Sequence, residues 1–197
     1  MKRIISRHAH SASLTGALAR SADFGGEVAM VTFGRTPGFQ SSDEIDFSVS
    51  DDGRAFTVNF VGAGFQFDTA QSQEPITTRQ FSLAVPIEGD DDHVEIEFSA
   101  GTNATLIDGG TAIALLSVNG QSAVTALAAE EADQAFQTTL TYSAPRPKEC
   151  RLTFMLLGGR DSQNANSEAL ASTLSIDAEI LPRPPGPEGP PVPPPER

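Results

Sequence analysis

Apolar and polar residues alternate along residues 45–60, where the chain predicts a β-hairpin. Three apolar residues precede an Asp-Asp-Gly turn and three follow it, all at alternate positions: Ile45, Phe47, Val49, Phe56, Val58 and Phe60. A two-residue turn at Asp52-Gly53 pairs Val49 with Phe56, Phe47 with Val58 and Ile45 with Phe60, all on one face. Asp-Gly also suits a type I′ turn, in which both central residues have positive φ.

A second hairpin is predicted around the acidic segment 88–93. Residues 81–87 and 94–98 alternate in the same way on either side of it. A third hairpin is predicted around Asn119-Gly120, another dipeptide that favours a type I′ turn.

In that third hairpin, the expected register pairs Leu115 with Val124 and Ile113 with Ala126. Residues 128–135 follow it and are rich in Ala and Glu, so they predict one helical turn before the next strand.

The last two predicted strands, 150–157 and 173–181, are separated by a long polar loop at 158–172. Both strands are expected to point their even-numbered residues inward: Leu152, Phe154, Leu156, Leu174, Ile176 and Ile180. The sequence therefore predicts an all-β fold: an antiparallel β-sandwich of roughly ten strands, jelly-roll-like or Greek-key. With 12 Phe, one Tyr and no Trp, we expect its core to consist of Phe with Val, Ile and Leu.

Charge and composition divide the chain into three parts. Residues 1–22 carry four basic residues and no acid, and they predict a basic N-terminal arm. Residues 23–181 form the predicted β-sandwich domain, and residues 182–197 form a proline-rich tail of polyproline II type. The net charge of −13 disfavours nucleic-acid binding, which needs clustered Lys and Arg. We also expect no signal peptide and no membrane contact, because no apolar run is long enough.

The acidic segment of the second hairpin is the densest group of carboxylates. Asp90, Asp91 and Asp92 are consecutive there, and Ca²⁺ takes six to eight oxygen ligands in proteins. These three residues are the candidate metal site, with calcium as the one cofactor considered. A solvated turn is the competing interpretation. The single cysteine, Cys150, is in phase with inward residues and predicts a buried apolar side chain.

Asp108 supports one catalytic alternative. It follows Leu106-Ile107 and precedes Gly109-Gly110, a setting similar to that of the catalytic Asp in aspartic proteases, although Gly109 stands where those enzymes have Thr. Residues 156–161 also look like the glycine-bearing segment of the retroviral-type enzymes. Because the chemistry needs two Asp that share a proton, one copy of the motif implies a homodimer. An ordinary Asp-Gly turn explains the same residues.

Residues 50–60, Ser-Asp-Asp-Gly-Arg-Ala-Phe-Thr-Val-Asn-Phe, and residues 79–86, Arg-Gln-Phe-Ser-Leu-Ala-Val-Pro, resemble a known layout. It belongs to a family of small secreted bacterial and fungal proteins of uncharacterised function, and the similarity covers Ser50–Ser99. The resemblance implies a β-sandwich and no known activity.

No catalytic set is visible, so the sequence predicts a non-catalytic structural or interaction module. We expect a homo-oligomer or an assembly with a partner protein, in an extracellular or virion-type setting, reached through the terminal arms. The alternative is a calcium- or carbohydrate-binding sandwich. The lack of Trp and the single Tyr disfavour a sugar platform, because stacking on sugars uses those rings.

Overall fold

The computed structural model of the chain describes residues 31–40, 45–61, 65–72, 74–128 and 131–182. Within these ranges the protein is all-β, with twelve strands and one short 3₁₀ helix. Every strand pair is antiparallel, and the strands form two six-stranded sheets. The predicted antiparallel sandwich is confirmed.

The strands are numbered in chain order. Sheet 1 contains β1 (Thr32–Phe33), β2 (Gly38–Gln40), β6 (Ile76–Glu88), β8 (Thr111–Val118), β9 (Gln121–Ala128) and β11 (Glu149–Gly159). Sheet 2 contains β3 (Ile45–Val49), β4 (Ala55–Phe60), β5 (Phe65–Asp68), β7 (His93–Ile107), β10 (Glu131–Pro145) and β12 (Glu168–Ile180). The order is β1-β6-β11-β8-β9 in sheet 1, where β2 also pairs with β6. It is β10-β7-β12-β4-β3 in sheet 2, where β5 also pairs with β12.

The first hairpin, β3–β4, has the predicted register, with Val49 opposite Phe56. Its turn differs from the prediction. Gly53 has φ 72°, but Asp52 does not have positive φ, so this is not a type I′ turn. Instead Gly53 N donates to Ser50 O (2.9 Å) and closes a β-turn over residues 50–53, one residue earlier than the predicted turn. This turn lies within the four-residue loop 51–54.

The Asp52 carboxylate explains that turn. It accepts hydrogen bonds from Ser50 Oγ (2.6 Å) and from the backbone N of Arg54 (3.0 Å). These bonds hold the pKa of Asp52 below its usual range. A side chain that hydrogen-bonds to its own loop in this way stabilises the turn without requiring positive φ at the aspartate.

The second predicted hairpin is wrong. β6 and β7 do not pair with each other: β6 lies in sheet 1 and β7 in sheet 2. The segment between them, residues 89–92, crosses from one sheet to the other. The alternation correctly showed which face of each strand is buried, since Phe81 and Phe98 are both fully buried. It could not show that these two faces pack against each other across the sandwich instead of lying side by side in one sheet.

The third hairpin, β8–β9, is confirmed in full. Leu115 lies opposite Val124 and Ile113 opposite Ala126, and Asn119 and Gly120 have φ 47° and 89°. The helical turn expected at 128–135 is wrong, because Glu131 already belongs to β10 and pairs with Ile107 of β7. The long partner strand β7 overrides the local helix preference of Ala and Glu.

A β-bulge in β12 overturns one inward assignment. Thr173 pairs with Thr102 and Ile176 with Ala100, so β12 has one more residue than β7 in this interval. The bulge shifts the phase of the strand, and inward residues are odd-numbered before it and even-numbered after it. Leu174 therefore points outward and is 57% exposed.

Phenylalanine rings join the two sheets at the core, as the composition predicted. Phe33 of β1 packs edge-on against Phe56 of β4, with ring centroids 4.8 Å apart. Phe60 of β4 contacts Phe81 of β6 in the same way at 5.2 Å. Aliphatic residues of both sheets fill the remaining space, and each buried ring contributes about 2–3 kcal/mol through removal of apolar surface from water.

Candidate functional site

The predicted acidic tip lies in the connection that crosses between the sheets. Two of its backbone carbonyls are occupied by Arg146: Arg146 Nε donates to Asp91 O (2.8 Å) and Arg146 N to Asp92 O (2.9 Å). No cluster of three or more His, Cys, Asp or Glu that could hold a metal ion occurs in the part of the chain that the structure describes. Calcium binding by Asp90, Asp91 and Asp92 stays a prediction.

Asp108 lies in an exposed turn at the end of β7. Asp108 and Gly109 have φ 47° and 85°, and Gly110 N donates to Ile107 O (3.0 Å), which is the geometry of a type I′ turn. The fold does bring the two protease-like segments together, since Thr111 pairs with Gly159. Turn chemistry accounts for the conformation of Asp108, and the aspartic-protease alternative stays a prediction.

The predicted loop at 158–172 is shorter than expected, because β11 extends to Gly159 and β12 begins at Glu168. The eight residues between them form local hydrogen bonds. Asp161 N donates to Ser167 Oγ (2.8 Å), and Gln163 N donates to Asp161 Oδ1 (2.8 Å). These bonds satisfy backbone N–H groups and fix the conformation of the loop.

The cysteine and the tyrosine are both internal. Cys150 is fully buried and unpaired, and burial raises the pKa of its thiol to about 12, so it is inert at neutral pH. Tyr142 is 5% exposed and cannot stack on a sugar.

The outward side of sheet 2 is strongly acidic. We define the acidic face by its exposed carboxylates: Asp46, Glu95, Glu97, Asp133, Glu168, Asp177 and Glu179. The six strands of sheet 2 contain no Lys or Arg. Glu97 and Glu179 even lie directly opposite each other, an arrangement that destabilises a sheet through like-charge repulsion.

The outward side of sheet 1 is uncharged over much of three neighbouring strands, whereas that of sheet 2 combines its carboxylates with the exposed side chains of Ile107, Leu170 and Leu174. We define the apolar face by six outward residues on three neighbouring strands: Ile113, Leu115, Val124, Ala126, Met155 and Leu157. They form two cross-strand rows, Met155–Leu115–Val124 and Leu157–Ile113–Ala126. Strands β8 and β9 contain no charged residue, and β11 has none between Arg151 and Gly159.

A row of hydroxyl groups borders the apolar face. Ser82, Thr153, Ser117 and Ser122 face each other across four adjacent strands. Ser82 Oγ and Thr153 Oγ1 are 3.3 Å apart, and Ser122 Oγ donates to Ser117 Oγ (3.1 Å). Uncharged donors and acceptors therefore flank the apolar rows.

Sequence reasoning missed the apolar face because it used only the inward half of each strand. The missed signal was that the outward positions are apolar too: residues 112–116 and 154–157 are continuous apolar runs instead of alternating ones. Strands of that kind occur where both faces are covered.

Several predicted features lie outside the described residues. These are the basic arm at 1–22 and, beyond Pro182, the proline-rich tail. In the described ranges, no helix is long and apolar enough to cross a membrane.

No protein-family model and no curated protein matches the chain. Among solved structures, it is similar to the enzymatically active domain of tailspike protein 4 from bacteriophage CBA120, at 7% identity and a TM-score of 0.28. That match covers 79% of this chain and 20% of the other. It is also similar to an arabinose-bound α-L-arabinofuranosidase, MgGH51, at 10% identity and a TM-score of 0.27, covering 74% of this chain and 25% of the other. The chain thus spans a quarter or less of each of these proteins.

Proposed function

We propose that the protein is a non-catalytic interaction module that docks onto another protein surface through the apolar face. The observation that carries this proposal is the difference in charge between the two outer surfaces. Sheet 2 presents seven exposed carboxylates together with the exposed side chains of Ile107, Leu170 and Leu174, whereas sheet 1 presents two uncharged rows of Met, Leu, Ile, Val and Ala.

Surface physics supports a docking role for the apolar face. Its members are half-buried or exposed, and Val124 is 59% exposed. Contiguous apolar surface that is bordered by polar groups is typical of interaction sites on soluble proteins. Covering Leu115, Met155 and their neighbours removes apolar area from water at about 25 cal/mol per Å², without removing any charge from its hydration shell.

The competing functions lack a comparable arrangement. Asp108 lies in a turn closed by the hydrogen bond from Gly110 N to Ile107 O, the connection at Asp90–Asp92 is held by Arg146, and the tyrosine ring is buried. The terminal arms and the extracellular or virion-type setting stay predictions from the sequence.

Met155 provides a native probe of the apolar face. Because Met155 is half-buried, we expect peroxide to oxidise it in dilute, folded full-length protein within about tenfold of the rate in urea-unfolded chain, as read peptide by peptide by mass spectrometry. Strong protection of Met155 in the dilute monomer would show that the chain itself covers this face, and the proposal would be wrong.

A lysine substitution gives a second test. We expect Leu115→Lys to lower the free energy of unfolding of the dilute protein by about 1 kcal/mol, because a half-buried side chain loses part of its apolar contact but leaves no cavity in the core. The matched control is Thr141→Lys, at an exposed position in the acidic sheet. A loss of several kcal/mol for Leu115→Lys alone would place this side chain in the protein's own core.

A further inference from the structure

We infer that Asn119 is a modification site: it deamidates when the end of the β8–β9 hairpin opens, and the folded protein protects it through hydrogen bonds to β11. Asn119-Gly120 is the only Asn-Gly pair in the sequence. Both residues are exposed, so water reaches the turn. This site is independent of the docking role proposed for the apolar face.

The reaction needs only water and the backbone of the turn itself. Gly120 N loses its proton and bonds to Asn119 Cγ, while the bond from Cγ to Nδ2 breaks and ammonia leaves. Water then opens the resulting succinimide ring and gives either aspartate or isoaspartate at position 119. Glycine favours the attack because it has no side chain to hinder the approach of Cγ to its backbone N.

Hydrogen bonds to β11 hold Asn119 in the folded protein. Arg151 N donates to Asn119 Oδ1 (2.9 Å), and Asn119 Nδ2 donates to Glu149 O (3.3 Å). Asn119 N also donates to Arg151 O (3.0 Å). The pairing of β8 with β11 ends at Val118 and Leu152, so the amide side chain takes the place of a further β8 residue beside β11.

The order of the strands places the attacking nitrogen on the other side of Asn119. Strand β8 lies between β11 and β9, and Gly120 leads from β8 into β9. To bring Cγ onto Gly120 N, the side chain must rotate away from β11 and break both of its hydrogen bonds. Two hydrogen bonds of ordinary net strength should slow the reaction by about tenfold or more.

The products of deamidation do not fit the folded turn. Aspartate replaces the Nδ2 donor with a carboxylate oxygen, which then faces the carbonyl oxygen of Glu149 with no proton between them. Isoaspartate adds a methylene to the backbone of a two-residue turn and disturbs the pairing of Val118 with Gln121. A molecule that has been open for long therefore keeps a permanent change that weakens its refolded state.

Peptide mapping of the full-length protein by mass spectrometry measures the reaction. Folded protein and guanidinium-unfolded chain are incubated side by side at mildly alkaline pH, and the conversion of Asn119 to aspartate and isoaspartate is followed. We expect the reaction in the folded protein to be slower by about tenfold or more. A smaller difference, or no reaction at Asn119 in the unfolded chain, would overturn the inference.

A matched pair of variants tests the effect of the product. Asn119→Asp reproduces one product, and Gln121→Glu makes the same change from amide to carboxylate at an exposed neighbour. We expect Asn119→Asp to raise the equilibrium constant of unfolding at least about fivefold in urea denaturation, and Gln121→Glu to raise it less than about twofold. Equal shifts for the two variants would show that the amide of Asn119 makes no specific contact, and the inference would be wrong.

Discussion

A buried hydroxyl without a partner should make one conservative substitution stabilising. Thr138 points inward from β10 and is fully buried, and its Oγ1 has no hydrogen-bond partner among the described residues. An unpaired hydroxyl that has lost its water costs about 1–3 kcal/mol. Thr138→Val keeps the branched shape and removes the hydroxyl, so we expect the free energy of unfolding to rise by about 1 kcal/mol.

A neighbouring threonine pair provides the matched control with the opposite sign. Thr102 and Thr173 are also buried, but their hydroxyl oxygens are 2.8 Å apart and hydrogen-bonded. Thr102→Val leaves the Thr173 hydroxyl unpaired, and we expect a loss of about 1–3 kcal/mol. Changing both residues to Val removes donor and acceptor together and should restore stability to near the starting value.

Urea denaturation followed by circular dichroism measures all four variants, with the slope against urea checked for constancy. The reasoning would be refuted if Thr138→Val lowered the free energy of unfolding by more than about 1 kcal/mol. It would also be refuted if Thr138→Val and Thr102→Val shifted stability equally and in the same direction, because the presence of a partner would then make no difference.

Two further predictions concern a close backbone contact and the single thiol. Gly110→Ala places a Cβ 2.0 Å from Glu168 O and should lower the free energy of unfolding by about 3 kcal/mol. The control, Gly101→Ala, meets nothing within 4 Å and should change it by less than about 1 kcal/mol in the same denaturation assay. Equal effects of the two substitutions would contradict this prediction. The Cys150 thiol has a pKa of about 12 in the folded protein against an ordinary value of 9.0, so it ionises first in the unfolded chain. The free energy of unfolding should therefore fall by about 1.4 kcal/mol per pH unit as pH rises from 9 towards 12. Cys150→Ala should remove that part of the slope, and an unchanged slope in the variant would show that the thiol does not titrate in this way.

Local patterns predicted the faces of the strands and the register of two hairpins. In both hairpins the turn is short and the apolar residues leave only one pairing that keeps them on a common face, as for Val49 with Phe56 and Leu115 with Val124. In β3–β4, a slip of one residue would move Ile45, Phe47 and Val49 from the inward face of the sheet to the outward one. That constraint operates within about 16 residues, so it can be deduced from the sequence.

The choice of partner strand lies beyond such patterns. Residues 81–98 alternate as well as residues 45–60, yet β6 and β7 belong to different sheets. The inward face of a strand looks the same whether its chain neighbour lies beside it or across the sandwich. The outward position of Leu174 depends on a β-bulge opposite Gly101, where the register between β12 and β7 shifts by one residue. The sequence of residues 173–176 contains no local signal for this bulge.

The candidate surface was also only partly predictable. The acidic character followed from composition, but its concentration on one sheet depends on which strands pair. The apolar face requires β8, β9 and β11 to be neighbours, and β11 lies more than 20 residues away from β9 in the chain.

The position of β12 has a consequence for how the protein is made. This strand lies in the middle of sheet 2, between β7 and β4, and it also pairs with β5. Until residues 168–180 have left the ribosome, the β3–β4 hairpin has no partner that connects it to β7. We therefore expect nascent chains that stop before residue 168 to remain dependent on chaperones, with most of sheet 2 assembling after synthesis of this strand.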